Sequence, residues 1–309
     1  MKSESAEATS TSFSNPSYLA GVVFSMLAAF GFAFKAIFVK LAYNAADVDA
    51  VTLLTLRLTL SLPFILVIAF PVIKKGPALR GQDVSLIIVL GVIGYYASSL
   101  LDFYGLEYIS AGLERLVLYT YPTFTILIGV LFLGKIFSSN MLFSVMVSYA
   151  GILIAFTHDL SITEDRYSIV IGCLLVLGCA VLYAVYNAGA EVAIARTGSL
   201  KFATLTILVA IIAADIHFVS TRSLDALNLP VQVYAYSLGM ALFSTVLPVF
   251  WQSMAIKIIG SGKAVMIGLL GPMLTIVFSY WLLGEPVSLA QMVSTLLVMS
   301  GVFLIIRCK

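Results

Sequence analysis

Residues 109–138 read ISAGLERLVLYTYPTFTILIGVLFLGKIFS, and residues 259–288 read IGSGKAVMIGLLGPMLTIVFSYWLLGEPVS. Laid over one another at a shift of 150, they match without a gap at Ile109/Ile259, Gly112/Gly262, Pro122/Pro272, Thr125/Thr275, Ile126/Ile276, Leu133/Leu283, Gly134/Gly284 and Ser138/Ser288. The register runs on through Ser144/Ser294 and Gly151/Gly301. A shift of 151 lays residues 20–40 over 171–191 more weakly. Self-similarity on this scale marks a duplicated unit, and the two copies of the stretch must occupy equivalent places in the fold.

Composition says what solvent surrounds that unit. Of the 309 residues, 61% are hydrophobic and 10% are charged. A soluble domain carries about 25% charged residues. A water-facing surface cannot be assembled from this chain, so most of it is solvated by lipid. A bilayer crossing takes about 20 apolar residues. Ten such stretches occur, near 19–43, 48–72, 84–106, 111–134, 139–158, 169–195, 202–220, 231–256, 264–284 and 287–306. Each repeat thus holds five, an odd number, and the halves enter the membrane in opposite directions. The expected fold is an all-α integral membrane protein with ten transmembrane helices as two inverted five-helix repeats, 19–158 and 169–306, behind a disordered cytoplasmic tail of residues 1–18.

The connections between spans are too short for a soluble domain. Lys and Arg are retained on the cytoplasmic side. With the N-terminus inside, the inner tails and loops collect eleven basic residues, and the outer loops collect only Arg166 and Arg222. Both termini are therefore expected in the cytoplasm of a cytoplasmic (inner) membrane. No basic face suited to nucleic acid is present. The three cysteines form neither a disulfide framework nor a metal-ligand set, and no glycine loop with its lysine cradles a phosphate. No cofactor or metal is implied.

Ionisable side chains within a span are costly, so each invites a reason. In span 1, Gly31 and Lys35 share a face. In span 3, Tyr95, Ser98, Ser99 and Asp102 form a polar stripe at i, i+3, i+4 and i+7. Glu114 and Arg115 open span 4 at its outer mouth, with Tyr119, Tyr121 and Pro122 deeper. In span 6, Tyr183, Tyr186, Asn187 and Glu191 make a second stripe. Under the repeat shifts Lys35 maps onto Tyr186, Lys40 onto Glu191, and Asp102 onto Gln252, beside Trp251. One half-site is charged and the other aromatic and amide-bearing, which suits an amphipathic solute.

Structural uses compete with these. Lys35 and Asp102 read equally well as an ion pair that only holds geometry. Glu114 at a helix start is favoured by the dipole, so capping competes with gating. Arg57, midway along span 2, is read as packing against a neighbouring helix. Pro122 and Pro272 recur in register, and a proline inside a helix frees the carbonyl four residues back and bends the axis. Paired bends suit two cavity-lining helices.

The ordered set of FGFAFKAIFVK in span 1, LRLTLSLP in span 2, YGLEYISAGLERLVLYTYPTF across spans 3 and 4, and GLLGPMLTIVFSYWLLGEP in span 9 resembles the EamA-like branch of the drug/metabolite transporter superfamily. The resemblance covers nearly the whole chain. It implies a carrier that works by alternating access, with spans 1, 3, 4, 6, 8 and 9 around the cavity and spans 5 and 10 at the periphery. The acidic residue that follows Leu-Gly in that family stands as Glu285 in the second half, whereas the first half has Lys135.

Inverted repeats of this kind are also, on physical grounds, the architecture of secondary transporters, with substrate at the midplane. The reading is a secondary transporter, not an enzyme, moving a small organic metabolite (amino-acid-like or otherwise amphipathic) by export or exchange. Lys35, Tyr95, Ser99, Asp102, Tyr119, Tyr121, Tyr186, Asn187, Trp251 and Gln252 are the expected substrate residues. Glu114, Arg115, Glu191, Pro122 and Pro272 are the expected gating or proton-coupling residues. Partners are the small-molecule substrate, the lipid bilayer and protons as candidate coupling ion, and an oligomer is not required. A proton-coupled multidrug exporter is the rival within transport, and a non-transporting scaffold or sensor the rival outside it.

Overall fold

The computed structural model describes residues 16–75, 78–133, 139–162 and 165–307. Of the expected tail, residues 1–15 lie outside the described residues, as does Lys135, and helix begins at Pro16. No strand occurs among the described residues.

Ten spans follow one another among the described residues. Span 1 is Pro16–Ala45, span 2 Ala50–Lys75, span 5 Ser139–Ile162, span 6 Arg166–Thr197, span 7 Ser199–Thr221 and span 10 Leu289–Arg307. Span 3 runs over Gly81–Tyr108 with a π-helical turn at Gly91–Ala97, and span 8 over Val231–Ile259 with one at Leu242–Val246. Span 4 is broken into Ala111–Leu118 and Tyr121–Leu133. Span 9 is broken into Ser261–Gly268 and Gly271–Phe278, the latter continuing as a π-helical turn, Ser279–Leu283. Nine of these helices are long and apolar enough to cross a membrane, and span 10 contributes a shorter apolar helix, Leu289–Leu304. Large apolar side chains point away from the protein, as lipid requires: Phe70, Phe132 and Trp281 are each about three-quarters exposed or more.

Two irregularities of each half obey the same shift as the sequence, while the π-helical turn Ser279–Leu283 has no counterpart in residues 129–133, which are regular helix. The break after Leu118 recurs after Gly268, and the turn at Gly91–Ala97 recurs at Leu242–Val246. Packing obeys it too. Span 1 lies against span 8 and span 6 against span 3, while spans 2 and 7, and spans 5 and 10, pack as pairs. Each contact has its counterpart under exchange of the halves, so a pseudo-two-fold axis relates them.

The matched residues of spans 5 and 10 show why they recur. A Cβ added at Gly301 would stand 2.6 Å from the Ser144 carbonyl oxygen, and one at Gly151 would stand 2.7 Å from the Ser294 carbonyl oxygen. Each glycine receives the turn of the other repeat that carries the matched serine. Small residues permit close approach of this kind in a medium where helices gain nothing by hiding from lipid.

Candidate functional site

A cavity of about 340 Å³ lies between the repeats. It runs from Lys35 and Asp102 toward the end of the bundle where span 1 begins, and there Ile194, Ser199 and Ile256 line it. Of the sequence candidates, Lys35, Tyr95, Ser99, Asp102, Arg115, Tyr119, Tyr121, Tyr186 and Gln252 line its wall. The repeat-related pairs Lys35/Tyr186 and Asp102/Gln252 therefore face one space.

Its deep end is an ion cluster. Lys35 Nζ stands 2.6 Å from Asp102 Oδ2 and 3.7 Å from Glu114 Oε1, and Arg115 Nε stands 3.9 Å from Glu114 Oε2. Both carboxylate side chains are wholly buried. Asp102 and Glu114 thus both face the one ammonium of Lys35. No hydroxyl or amide donates to either carboxylate among the described residues. Arg115 is anchored across the repeat interface: Nε donates to Thr275 Oγ1 (3.2 Å) and Nη2 to the Phe32 carbonyl (2.7 Å).

The expected outer mouth thus needs correcting. Glu114 is fully buried and Arg115 nearly so. They belong to a short helix whose amino end is capped twice. Ser110 Oγ accepts from the Leu113 amide at 3.1 Å, and Glu285 Oε1 accepts from the Ala111 amide at 3.1 Å. Glu285, not Glu114, does the capping, which leaves Glu114 to face inward.

Along the cavity the wall is aromatic. Ring centroids are 6.0 Å apart for Tyr119–Tyr121, 5.0 Å for Tyr121–Tyr183, 5.9 Å for Tyr183–Tyr186 and 5.6 Å for Tyr186–Phe202, with Tyr95 edge-on to Tyr186 at 5.9 Å. Spacings of 4.5–7 Å are those at which aromatic pairs attract. A Cβ at Gly94 would meet the Tyr186 side chain, so span 3 needs a glycine there to lie against span 6.

The two prolines take equivalent places at the breaks. Pro122 and Pro272 each stand one residue into the second piece of a broken helix. The carbonyl four residues before Pro272 is that of Gly268, and Tyr119 Oη donates to it at 3.0 Å. One repeat's tyrosine satisfies the group that the other repeat's proline frees.

Other expectations fare differently. Asn187 donates to the Tyr183 carbonyl of its own helix at 2.8 Å and does not line the cavity. Trp251 stands beside Gln252 but also does not line it. The Glu191 side chain lies outside the described residues. Span 9, implied as a wall, is represented by no lining residue and instead supports Arg115 through Thr275; spans 2 and 7 take part through Arg57, Ser199, Phe202 and Ala203.

Arg57 is the residue sequence reasoning placed elsewhere. Its Nε donates to Thr245 Oγ1 at 3.0 Å, and its guanidinium carbon stands 5.6 Å from the centre of the Phe103 ring. Thr245 in turn donates to the Met240 carbonyl, five residues back, at the π-helical turn of span 8. The available signal was an arginine in an apolar span, which is a functional candidate by default.

Away from the deep cluster, the end of the bundle opposite the start of span 1 is tied shut. Arg222 Nε donates to Asp49 Oδ1 at 3.0 Å, the Ala50 amide donates to Glu107 Oε1 at 3.2 Å, and Tyr43 Oη donates to the Phe103 carbonyl at 2.9 Å.

A cavity between inverted repeats, open toward one end, with ions buried at its head, defines a membrane carrier. The model of the EamA-like transporter family matches residues 19–157 and 170–307, once per repeat, and the chain belongs to that family. An uncharacterized transporter of Bacillus subtilis, YcbK, is 29% identical over 93% of this chain and 91% of its own length. A second from the same organism, YyaM, is 27% identical over 74% of this chain and 75% of its own. An uncharacterized transporter of Archaeoglobus fulgidus is 21% identical over 87% and 93%. A solved crystal structure superposes with a TM-score of 0.63 at 15% identity, covering 93% of this chain and 96% of that one. At that identity it speaks to the fold alone.

Proposed function

We propose that the protein is a secondary transporter that moves a small organic, amphipathic metabolite across the cytoplasmic membrane by alternating access, in the direction of export or exchange. The observation that carries this reading is the cavity itself, where the repeats supply an aromatic wall and a buried ion cluster to one space. The excess of basic residues at the end where the cavity runs out supports a cytoplasmic location for that end and for both termini.

In this arrangement the substrate enters from the cytoplasmic end and rests its apolar body on the tyrosines. Its polar group meets the head of the cavity. Release on the far side requires the ties at Asp49–Arg222, Ala50–Glu107 and Tyr43–Phe103 to part while the inner ends close. The broken spans 4 and 9 and the bulged spans 3 and 8 can bend, because they already lack part of the i to i−4 ladder. Asp102 and Glu114 are the proton candidates. A proton taken up by either acid would change how firmly Lys35 is held, and so couple protonation to the head of the cavity. Two acids held by Lys35 and Arg115 differ from the single dominant acid that would favour the multidrug alternative.

The test compares solutes released by cells making the wild type, Asp102→Asn or an empty vector, at matched membrane levels. A discrete set of solutes outside only wild-type cells is expected. Equal profiles for all three would remove export as the function.

A further inference from the structure

We infer that Arg57 is an anion-recognising residue, and that the cavity takes a small organic anion: a monocarboxylate with an aromatic or apolar body. This rests on the transport reading only for where the ligand goes, since the argument is one of binding.

The cavity and the shell behind its head hold three cations, Lys35, Arg57 and Arg115, and two acids, Asp102 and Glu114. The acids are engaged: Asp102 by Lys35, and Glu114 by Lys35 and Arg115. Arg57 has no ion-pair partner among the described residues. Only 4% of it is exposed, and its Nη1 is buried without a hydrogen-bond partner. A buried charge is ordinarily paired. Here no pairing group stands among the described residues, yet Arg57 lines the cavity wall.

The guanidinium is also held still. Thr245 holds its Nε and the Phe103 ring lies near its face. A fork fixed along one edge and free at Nη1 is built to meet a carboxylate, the geometry for which arginine is suited. The run of rings from Tyr119 to Phe202 offers the apolar body a surface. A space of about 340 Å³ is at the small end of ligand pockets, which span roughly 300–1,000 Å³. A zwitterion would bring an ammonium group to a site whose acids are already compensated. A net anion brings the one charge the site lacks.

The experiment uses the full chain in lipid nanodiscs and three probes with one ring and different heads: phenylacetate, 2-phenylacetamide and 2-phenylethylammonium. Apparent affinity is read from the concentration dependence of thermal unfolding. In the wild type, phenylacetate binds at least about tenfold more tightly than the amide, as one charge-assisted contact allows. Arg57→Gln removes that preference, and Arg57→Lys keeps part of it. Equal response to the three probes, preference for the ammonium, or no response to phenylacetate at about 10 mM, well above the ~1 mM of a weak complex, overturns the inference. If Arg57→Gln does not fold, the three-probe comparison on the wild type and Arg57→Lys still decides. Selective binding without solute release by cells would sink the transport reading alone. Solute release without anion preference would sink this inference alone.

Discussion

At the scale of single residues, the cluster at Lys35 is held by charge and by little else. Asp102 and Glu114 have no backbone amide or hydroxyl donor among the described residues, so their compensation is Lys35 and Arg115. Removing one member of a buried pair leaves an uncompensated charge and costs about 3–5 kcal/mol, whereas replacing both by apolar groups is often neutral. Lys35→Met is therefore expected to lower unfolding stability in detergent by that order, and Lys35→Met combined with Asp102→Leu to recover much of it. A double variant that is stable but inactive separates a chemical role for the pair from a purely structural one. A single Lys35→Met variant as stable as the wild type would contradict the ion-cluster account.

At the scale of elements, the breaks in spans 4 and 9 are where helix chemistry and membrane chemistry conflict. A carbonyl freed by proline inside a bilayer must find protein or water. Tyr119 answers this for Gly268 across the repeat interface. Tyr119→Phe keeps the ring in its aromatic row and strands that carbonyl. Leaving a buried acceptor unmet costs about 1–3 kcal/mol, and the expected result is a lower thermal midpoint with the Tyr119→Phe cavity otherwise intact. An unchanged midpoint would mean that water or a shifted helix takes the place of the phenol. The π-helical turn of span 8 has a related cause: Thr245 donates to Met240 five residues back and so stabilises a turn that an α-helix would not form.

At the scale of the whole molecule, symmetry of fold coexists with asymmetry of chemistry. The halves exchange under the 150-residue shift in their helix breaks, in the π-helical turns of spans 3 and 8 and in packing, yet Glu114, Arg115 and Arg57 map onto Ala264, Val265 and Ile207. The site is charged because one repeat is. The tie between the first loop and the end of span 7 gives a pH dependence. Burial opposes ionisation of Asp49, but the Thr52 hydroxyl and amide and the Arg222 guanidinium outweigh it and hold its pKa below the ordinary value. The folded value lies below the unfolded one, so the contribution is complete above about pH 3.9 and is lost as pH falls through the folded value. An ion pair this exposed is worth about 0.2–1 kcal/mol. Wild type is expected to exceed Asp49→Asn in thermal stability at neutral pH and to lose that advantage only below about pH 4. An advantage already gone at pH 6 would refute the pairing.

Much of this protein follows from local chemistry alone. Apolar runs of bilayer length decide the spans, because a backbone in lipid must satisfy itself within each helix. The matched Pro122/Pro272 and Gly151/Gly301 announce a duplicated unit, because equivalent bends and close contacts need the same residues twice. Lys35, Asp102 and Tyr186 were legible as site candidates, since a polar group inside an apolar helix needs a reason. What tertiary structure decided is which partner each group meets. Glu114 reads as a cap until Glu285, 171 positions later in the chain, is seen to accept the Ala111 amide and free it. Asn187 reads as a ligand until its amide is found on its own helix. Arg57 reads as packing until span 2 brings it to the cavity with one edge free. Sequence spacing fixes the face of a helix on which a side chain stands, but only the packing of the ten spans determines what that face sees.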